Sequence, residues 1–257
     1  MNNIFKNIIW GLGYPFVFIW FVIKWFTTKT KAKKYLKNPD DFLEQEKYEI
    51  LYKIAKPTSY LLKIKISDII NDFNIPKKVQ LIIANHRSYI DLLLLYVFLY
   101  EQLGSKFVFV AKKELADSKL GHILKLIDTI FIDRSNLRQM ISSINTQYDV
   151  MTTKGKSVVV FPEGTRNKEN ELLEFKSGVF EVAYKTMSPI QPIIFLNTNA
   201  YWEDKKEFKK NKPAIIFKVI NPFLPSKFLN IDRQILAKNI RNEMQKNIDQ
   251  ILAKKSK

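Results

Sequence analysis

The sequence predicts an α/β fold, with a largely parallel or mixed central sheet covered by helices and an apolar helical segment ahead of it at the N-terminus. Three observations carry this. Short apolar runs recur between stretches of helical period from Val79 to Ile220. Runs such as Ser157-Val158-Val159-Val160-Phe161 have no polar interior position, which suits a strand covered on both faces. Strand and helix signals then alternate, as parallel strands joined by crossover helices require.

The N-terminal segment comes first. Residues 8–23 carry no charge, and Trp10, Trp20 and Trp25 lie in or beside them. A helix of this length spans about 24 Å, against about 30 Å for the hydrocarbon core of a bilayer. Gly11, Gly13 and Pro15 interrupt its start, and Lys24, Lys29, Lys31, Lys33, Lys34 and Lys37 follow without an acid before Asp40. Aromatics at the edge of an apolar run, with a basic flank, predict a membrane anchor lying in or entering the interface, its lysines on the cytoplasmic face. A single span and a buried core helix are the alternatives. The domain boundary is therefore set between residues 1–39, the anchor and its basic flank, and residues 40–257, the α/β domain.

Within the domain, residues 40–56 predict a helix with Asp40 as N-cap, ended by Pro57 and Ser59. Leu62, Ile64 and Ile66 alternate with lysines and predict a half-buried strand. Strands are predicted near 79–84, 107–111, 129–133, 157–161, 191–196 and 214–220. Helices are predicted near 88–102, 114–127, 137–153, 175–187 and 231–253, the last amphipathic and packed on the domain. His122 falls in the helix pattern of 114–127 and reads as packing or surface.

Composition narrows the chemistry. The chain has no cysteine and two histidines, which excludes thiolate nucleophiles and cysteine-bound metal sites and disfavours a histidine-rich one. A formal charge of +17 calls for an anionic partner or surface. In the α/β part the basic residues are interleaved with acids and form no nucleic-acid recognition motif, so anionic lipid is favoured over nucleic acid. A phosphate-binding Gly-x4-Gly-Lys loop is absent as well.

The residues that point to chemistry stand at predicted strand ends. In Asn85-His86-Arg87-Ser88-Tyr89-Ile90-Asp91 a histidine precedes an aspartate by five positions. On one continuous helix their side chains would point about 140° apart. They can meet only if His86 ends a strand and Asp91 sits in the first turn of the next helix. Phe161-Pro162-Glu163-Gly164-Thr165-Arg166 follows another strand, Ile132-Asp133-Arg134 a third and Ala111-Lys112 a fourth. Parallel strands share one rim at their carboxyl ends, so His86, Lys112, Arg134, Glu163 and Arg166 are expected to converge there. A base among cations suits activation of a hydroxyl on an anionic substrate.

This constellation resembles the glycerolipid acyltransferase family, typified by the 1-acylglycerol-3-phosphate (lysophosphatidic acid) acyltransferases. His86 and Asp91 match its His-x4-Asp box, with Asn85 and Ser88. Phe131 to Arg134 match its phenylalanine–arginine block, Glu163 to Arg166 its Glu-Gly-Thr-Arg block, and Pro192 its looser proline block. The family's proline shortly before Gly121 is replaced here by Ser118-Lys119-Leu120. The resemblance covers residues 60–200. It implies that His86, oriented by Asp91, acts as general base on the free hydroxyl of a lysophospholipid. That hydroxyl attacks the thioester of acyl carrier protein or coenzyme A, and no cofactor takes part. It also implies that Glu163 positions the glycerol while Arg134 and Arg166, with Gly164 and Thr165 in the same block, hold the phosphate. Backbone N–H groups, with Lys112, would steady the oxyanion. The implied product is phosphatidic acid, made at a membrane; another lysophospholipid head group is the alternative.

Overall fold

The computed structural model describes residues 19, 22–61, 64, 75–201 and 212–255. Among these, strands β1 (Leu81–Ala84), β2 (Phe107–Lys112), β3 (Ile130–Ile132), β4 (Ser157–Val160), β5 (Ile190–Leu196) and β6 (Ile216–Val219) form one sheet in the order β3-β2-β4-β1-β5-β6. The first five are parallel and β6 closes one edge antiparallel to β5, so the sheet is mixed. All six lie where the apolar runs predict them. The strand predicted around residues 62–66 falls, apart from Ile64, outside the described residues.

Helix α1 covers residues 22–37, followed by α2 (Glu44–Leu61), α3 (Tyr89–Leu103), α4 (Gly121–Leu126), α5 (Leu137–Thr152), α6 (Glu181–Thr186) and α7 (Arg233–Lys255). Three expectations about them are corrected. Asp40 is not the N-cap of α2; it lies in a short 3-10 turn, Pro39–Asp41, and the helix starts at Glu44. Pro57 does not end α2, which continues to Leu61 while the Thr58 and Ser59 hydroxyls donate to the carbonyls of Ile54 and Lys56 at 2.7 and 2.6 Å. The helix predicted over 114–127 divides into a 3-10 turn, Lys113–Asp117, and α4. Ser118 Oγ captures the Leu120 N–H at 3.2 Å, and Gly121 packs so closely on Ala116 that a Cβ would come within 2.0 Å of its carbonyl oxygen. A local side-chain bond thus displaces the helix bond.

Among the described residues no helix is long and apolar enough to cross a membrane. The predicted anchor falls mostly on residues 1–18, 20 and 21, outside the described residues. In α1, Ile23 and Phe26 are exposed beside Lys24.

The strand pleat sorts side chains into two cores. Ile82, Ala84, Phe107, Phe109, Val159, Ile193 and Phe195 face α2 and α3. Leu81, Ile83, Val108, Val158, Val160 and Ile194 face α5, α6 and α7. Helix α3 carries the chain from β1 to β2 across the first face, and α6 carries it from β4 to β5 across the second. The connections from the adjacent strands β1 and β4 therefore leave in opposite directions. A crevice opens at the carboxyl ends of two such strands, which is where ligands bind in open α/β sheets.

The opposite rim holds a polar knot. Asp128, between α4 and β3, accepts from Lys47 of α2 at 2.8 Å, Tyr35 of α1 at 2.8 Å and Lys156 just before β4 at 3.3 Å. Burial pushes the Asp128 carboxyl up, but these donors together hold it below its ordinary range. Lys47 and Lys156 are buried, so the knot ties the N-terminal helices to the sheet through charges that need each other. Asp128→Asn should cost about 3 kcal/mol in urea unfolding at neutral pH. A carboxyl with a lowered folded pKa contributes stability above the unfolded value and loses it as pH falls through the folded one. The gap between wild type and variant should therefore narrow only in acid, below about pH 4.

Candidate active site

The chain leaves β1 at Ala84 and turns into α3 within four residues, and one carboxylate oxygen organises that turn. Ser88 is the N-cap of α3, extended at φ −152° and ψ 161°, and its Oγ accepts the Ile90 N–H at 3.1 Å. Asp91 Oδ2 accepts the Ser88 N–H at 2.7 Å, closing a capping box, and also the Arg87 N–H at 2.5 Å. The same oxygen lies 2.9 Å from His86 Nδ1. The predicted pair does meet, and by the predicted route. Because the carboxylate is acceptor only, Nδ1 carries the proton, and the lone pair of the neutral ring is on Nε2. Asp91 is fully buried, while the His86 side chain keeps 19% of its surface exposed. The ring stacks on Phe161, centroids 4.2 Å apart, and among the described residues Nε2 has no hydrogen-bond partner. The result is an oriented imidazole with its second nitrogen unpaired among the described residues.

The backbone of residue 86 is held from both flanking strands. On the β5 side, the Asn85 side chain donates to the Phe195 carbonyl at 2.9 Å and accepts its N–H at 2.7 Å. On the β4 side, Glu163 Oε1 accepts the His86 N–H at 2.9 Å and Oε2 accepts the Leu173 N–H at 3.0 Å. Glu163 is only 4% exposed. Desolvation raises its pKa, opposed by these two N–H donors and by the Asn167 side chain. Each of its oxygens accepts a backbone N–H, so Glu163 braces the turn that carries His86.

The expected cations divide. Gly164, at φ +74°, turns the chain after Glu163, and Arg134 Nη1 donates to its carbonyl at 2.5 Å. The ends of β3 and β4 are joined in this way. The Arg166 guanidinium lies over the Tyr89 ring, its carbon 3.9 Å from the centroid. The Asn167 N–H then donates to the His86 carbonyl at 2.7 Å, and Arg87 donates to Glu169 O at 2.6 Å and to Lys168 O. Residues 166–169 therefore run beside residues 86–89. Thr165 is exposed on that turn. Lys112 does not join the group. It is exposed at the end of β2, with the whole of β4 between it and β1, and its pleat phase is opposite to that of Phe107 and Phe109.

Two contributions escaped sequence reasoning. The spacing Ser88-x-x-Asp91 is itself a capping-box signature and names Asp91 as an N3 residue. The bracing of residues 170–173 by α7 left no such signal: Arg241 Nε donates to Leu172 O at 3.0 Å, and Gln245 Oε1 accepts the Leu172 N–H at 2.9 Å. Among the described residues no group of three or more His, Cys, Asp or Glu side chains is arranged to hold a metal ion.

Comparison with known proteins decides the family. The Acyltransferase family model matches residues 67–196, which includes every site residue named above except those on α7. A Mycoplasma pneumoniae protein named as a probable 1-acyl-sn-glycerol-3-phosphate acyltransferase is 35% identical over 87% of this chain and 86% of its own length. The chain belongs to the acyltransferase family. A Mycoplasma genitalium protein of the same name is 34% identical over 90% of this chain and 88% of its own length. The human 1-acyl-sn-glycerol-3-phosphate acyltransferase alpha is 31% identical over 66% of this chain and 58% of its own. The crystal structure of the lysophosphatidate acyltransferase PlsC from Thermotoga maritima shares the fold, with a TM-score of 0.66, 20% identity and 98% of each chain covered.

Gly164 is the tightest point of this acyltransferase site. A Cβ there would lie 2.8 Å from Arg134 Nη1, in a backbone conformation that L-residues rarely adopt. Gly164→Ala should lower stability by about 1–2 kcal/mol in denaturant unfolding. It should also displace Arg134, so that adding Arg134→Ala to it costs less activity than Arg134→Ala alone.

Proposed function

We propose that this acyltransferase moves a fatty acyl group from a thioester to the free hydroxyl of 1-acylglycerol-3-phosphate, giving phosphatidic acid. His86 Nε2 takes the proton of the hydroxyl as its oxygen attacks the thioester carbonyl carbon. Asp91 keeps the other ring nitrogen protonated and steadies the imidazolium. As the C–S bond breaks, the leaving sulfur takes that proton. No acyl-enzyme forms, which suits a chain without cysteine. Arg134 and Arg166 bind the acceptor's phosphate, and Glu163 holds the backbone that carries the base. The donor is a thioester of coenzyme A or of acyl carrier protein.

The observation that carries this reading is the His86–Asp91 pair, its open Nε2 on the rim that also bears Arg134 and Arg166. The relatives' names support the acceptor. Activity at the cytoplasmic face of a membrane is supported by the apolar N-terminal run with its lysine-rich flank and by the exposed Ile23 and Phe26 of α1.

The test is acyl transfer by purified protein with lysophosphatidate and each donor in turn. His86→Ala should remain folded by circular dichroism and lose about 10²–10⁴-fold in kcat. Full activity in that variant would remove His86 from the chemistry, and absence of transfer to lysophosphatidate by the wild type would remove the acceptor. The protein should also co-sediment with phosphatidylglycerol vesicles and do so less at high salt, because lysine attraction to anionic lipid is screened. Equal sedimentation with neutral vesicles at every salt concentration would leave only the apolar contribution.

A further inference from the structure

Helix α7 carries none of the strand-end residues of the site, and its apolar face is enough to dock it. Leu236, Ala237, Ile240, Met244, Ile248 and Ile251 bury that face against the sheet. Arg241 and Gln245 stand one position beyond Ile240 and Met244 and about one turn apart, so both leave α7 on the same side stripe. They meet on Leu172, a buried residue outside every strand. Gln245 Oε1 accepts the Leu172 N–H at 2.9 Å. Arg241 donates to the Leu172 carbonyl from Nη2 at 2.5 Å and from Nε at 3.0 Å, and Nε also reaches the Leu173 carbonyl at 3.2 Å.

The Leu172 carbonyl and the Leu173 N–H belong to one planar peptide unit and point to opposite sides of it. The carbonyl takes the Arg241 fork, and the N–H donates to Glu163 Oε2 at 3.0 Å. The other oxygen of that carboxylate accepts the His86 N–H at 2.9 Å. Three flat groups in series, a guanidinium, a peptide and a carboxylate, thus join α7 to the backbone of His86. Charge runs the same way along them. A cation faces the carbonyl and an anion faces the N–H, so the peptide dipole is favoured at both ends and each bond strengthens the next. Glu163 and Leu172 are buried and the Arg241 side chain keeps 22% of its surface exposed, so water competes little for these bonds. Satisfying the buried Leu172 backbone accounts for the bonds that end there. It leaves over the continuation of the same peptide unit into the carboxylate that fixes His86.

We propose that Arg241 is a positioning residue for His86: through the 172–173 peptide unit and Glu163 it sets where the backbone of the imidazole stands. This rests on the reading of His86 as the base given above. Arg241 touches no reacting atom. Its contribution falls on kcat, because a base out of place slows proton transfer, and not on the KM of acceptor or donor. Gln245 supports it by holding the other polar backbone group of Leu172.

The chain has two histidines, so labelling the full chain with [15N]histidine gives two backbone amide signals, from His86 and from His122 of α4. The experiment combines that spectrum with steady-state transfer to lysophosphatidate. The proteins are wild type, Arg241→Met, Arg241→Lys, Glu163→Ala, the Glu163→Ala/Arg241→Met double variant and Arg233→Met. Arg233 pairs with Glu181 at the start of α7, so its variant is the control for weakened docking of the helix. Arg241→Met keeps length and helix propensity but has no donor. Its kcat should fall roughly tenfold, short of the hundredfold that follows a misplacement of about 1 Å. Both KM values should stay within about twofold, and the His86 signal should shift while that of His122 does not. Arg241→Lys keeps one donor for the carbonyl and should recover kcat to within about threefold of wild type. In the Glu163→Ala background Arg241→Met should cost no further kcat. Arg233→Met, compared where both variants are folded by circular dichroism, should keep kcat and the His86 signal. Wild-type kcat with an unmoved His86 signal in Arg241→Met overturns the proposal. An equal kcat loss with and without Glu163, or an equal loss in Arg233→Met, does so too. Should Arg241→Met fail to fold, Arg241→Gln takes its place under the same criteria. If the wild type transfers nothing to lysophosphatidate, or His86→Ala keeps full activity, the reading of the site has failed, and the His86 signal alone then decides whether Arg241 sets that backbone.

Discussion

One buried oxygen, Asp91 Oδ2, is the constraint on which the site depends. It takes the Ser88 and Arg87 N–H groups and the Nδ1 proton of His86 together. The first two bonds terminate α3, a structural task that any capping aspartate or glutamate performs. The third makes the same cap select the tautomer of the imidazole. Orientation of the imidazole is therefore not a separate device added to the fold. The turn that starts the helix and the turn that aims the histidine are one object, so the strand-to-helix junction cannot loosen without loss of that orientation. The buried location matters equally. Water does not compete for the carboxylate, so a charge-assisted bond keeps its strength there.

Much of this was legible in the sequence, for a physical reason. Both faces of the β1 and β4 strands are covered, so their apolar runs are unbroken, and polar residues first appear where the chain leaves the sheet. His86 and Glu163 mark those exits, and a parallel sheet brings all such exits to one rim. What could not be read was the side of each strand end. Lys112 leaves the same rim as His86, but β4 lies between and the pleat phase is opposite. Strand order is set by where α3 and α6 cross, and the one-residue phase of a pleat is finer than any boundary drawn from hydropathy. The burial of Glu163 was hidden for a different reason: a carboxylate beside a glycine and an arginine looks exposed. Its partners, the His86 and Leu173 N–H groups, are backbone atoms that a sequence does not display.

Helix boundaries failed for local reasons too. Pro57 removes an N–H and crowds the preceding turn. Two hydroxyls immediately after it, on Thr58 and Ser59, bond the carbonyls of Ile54 and Lys56, and packing of α2 on α3 carries the helix on. At Ser118 the outcome differs, since its Oγ donates to the Leu115 carbonyl at 2.7 Å and also takes the Leu120 N–H at 3.2 Å, where the 3-10 turn ends. Whether a hydroxyl that bonds a preceding carbonyl also captures a following N–H is not stated by residue identity alone. Pro192 sits inside the sheet, where a missing N–H would leave the Ile220 carbonyl unpaired. The Gln191 side chain fills that place at 2.5 Å, so a proline is tolerated in an internal strand.

These substitutions of side chain for backbone share a direction. Asn85 bonds both polar backbone groups of Phe195 across β1 and β5, Glu163 bonds residues 86 and 173 across β1 and β4, and Arg241 and Gln245 reach from α7 to hold residue 172. The sheet ladder ends at Ala84, and beyond it ladder bonds can no longer fix the chain. Buried polar side chains extend the fixing by two residues, to His86, by bonding backbone groups, while Asp91 Oδ1 has no partner among the described residues. A catalytic base misplaced by about 1 Å loses on the order of a hundredfold in rate. A loop held only by its ends would not meet that tolerance, but a segment tied to β5 on one side and to β4 and α7 on the other does. The cost is that Asn85, Arg87, Asp91 and Glu163 are buried polar groups, each destabilising if its partners are removed. The fold accepts that liability at the rim where His86 stands.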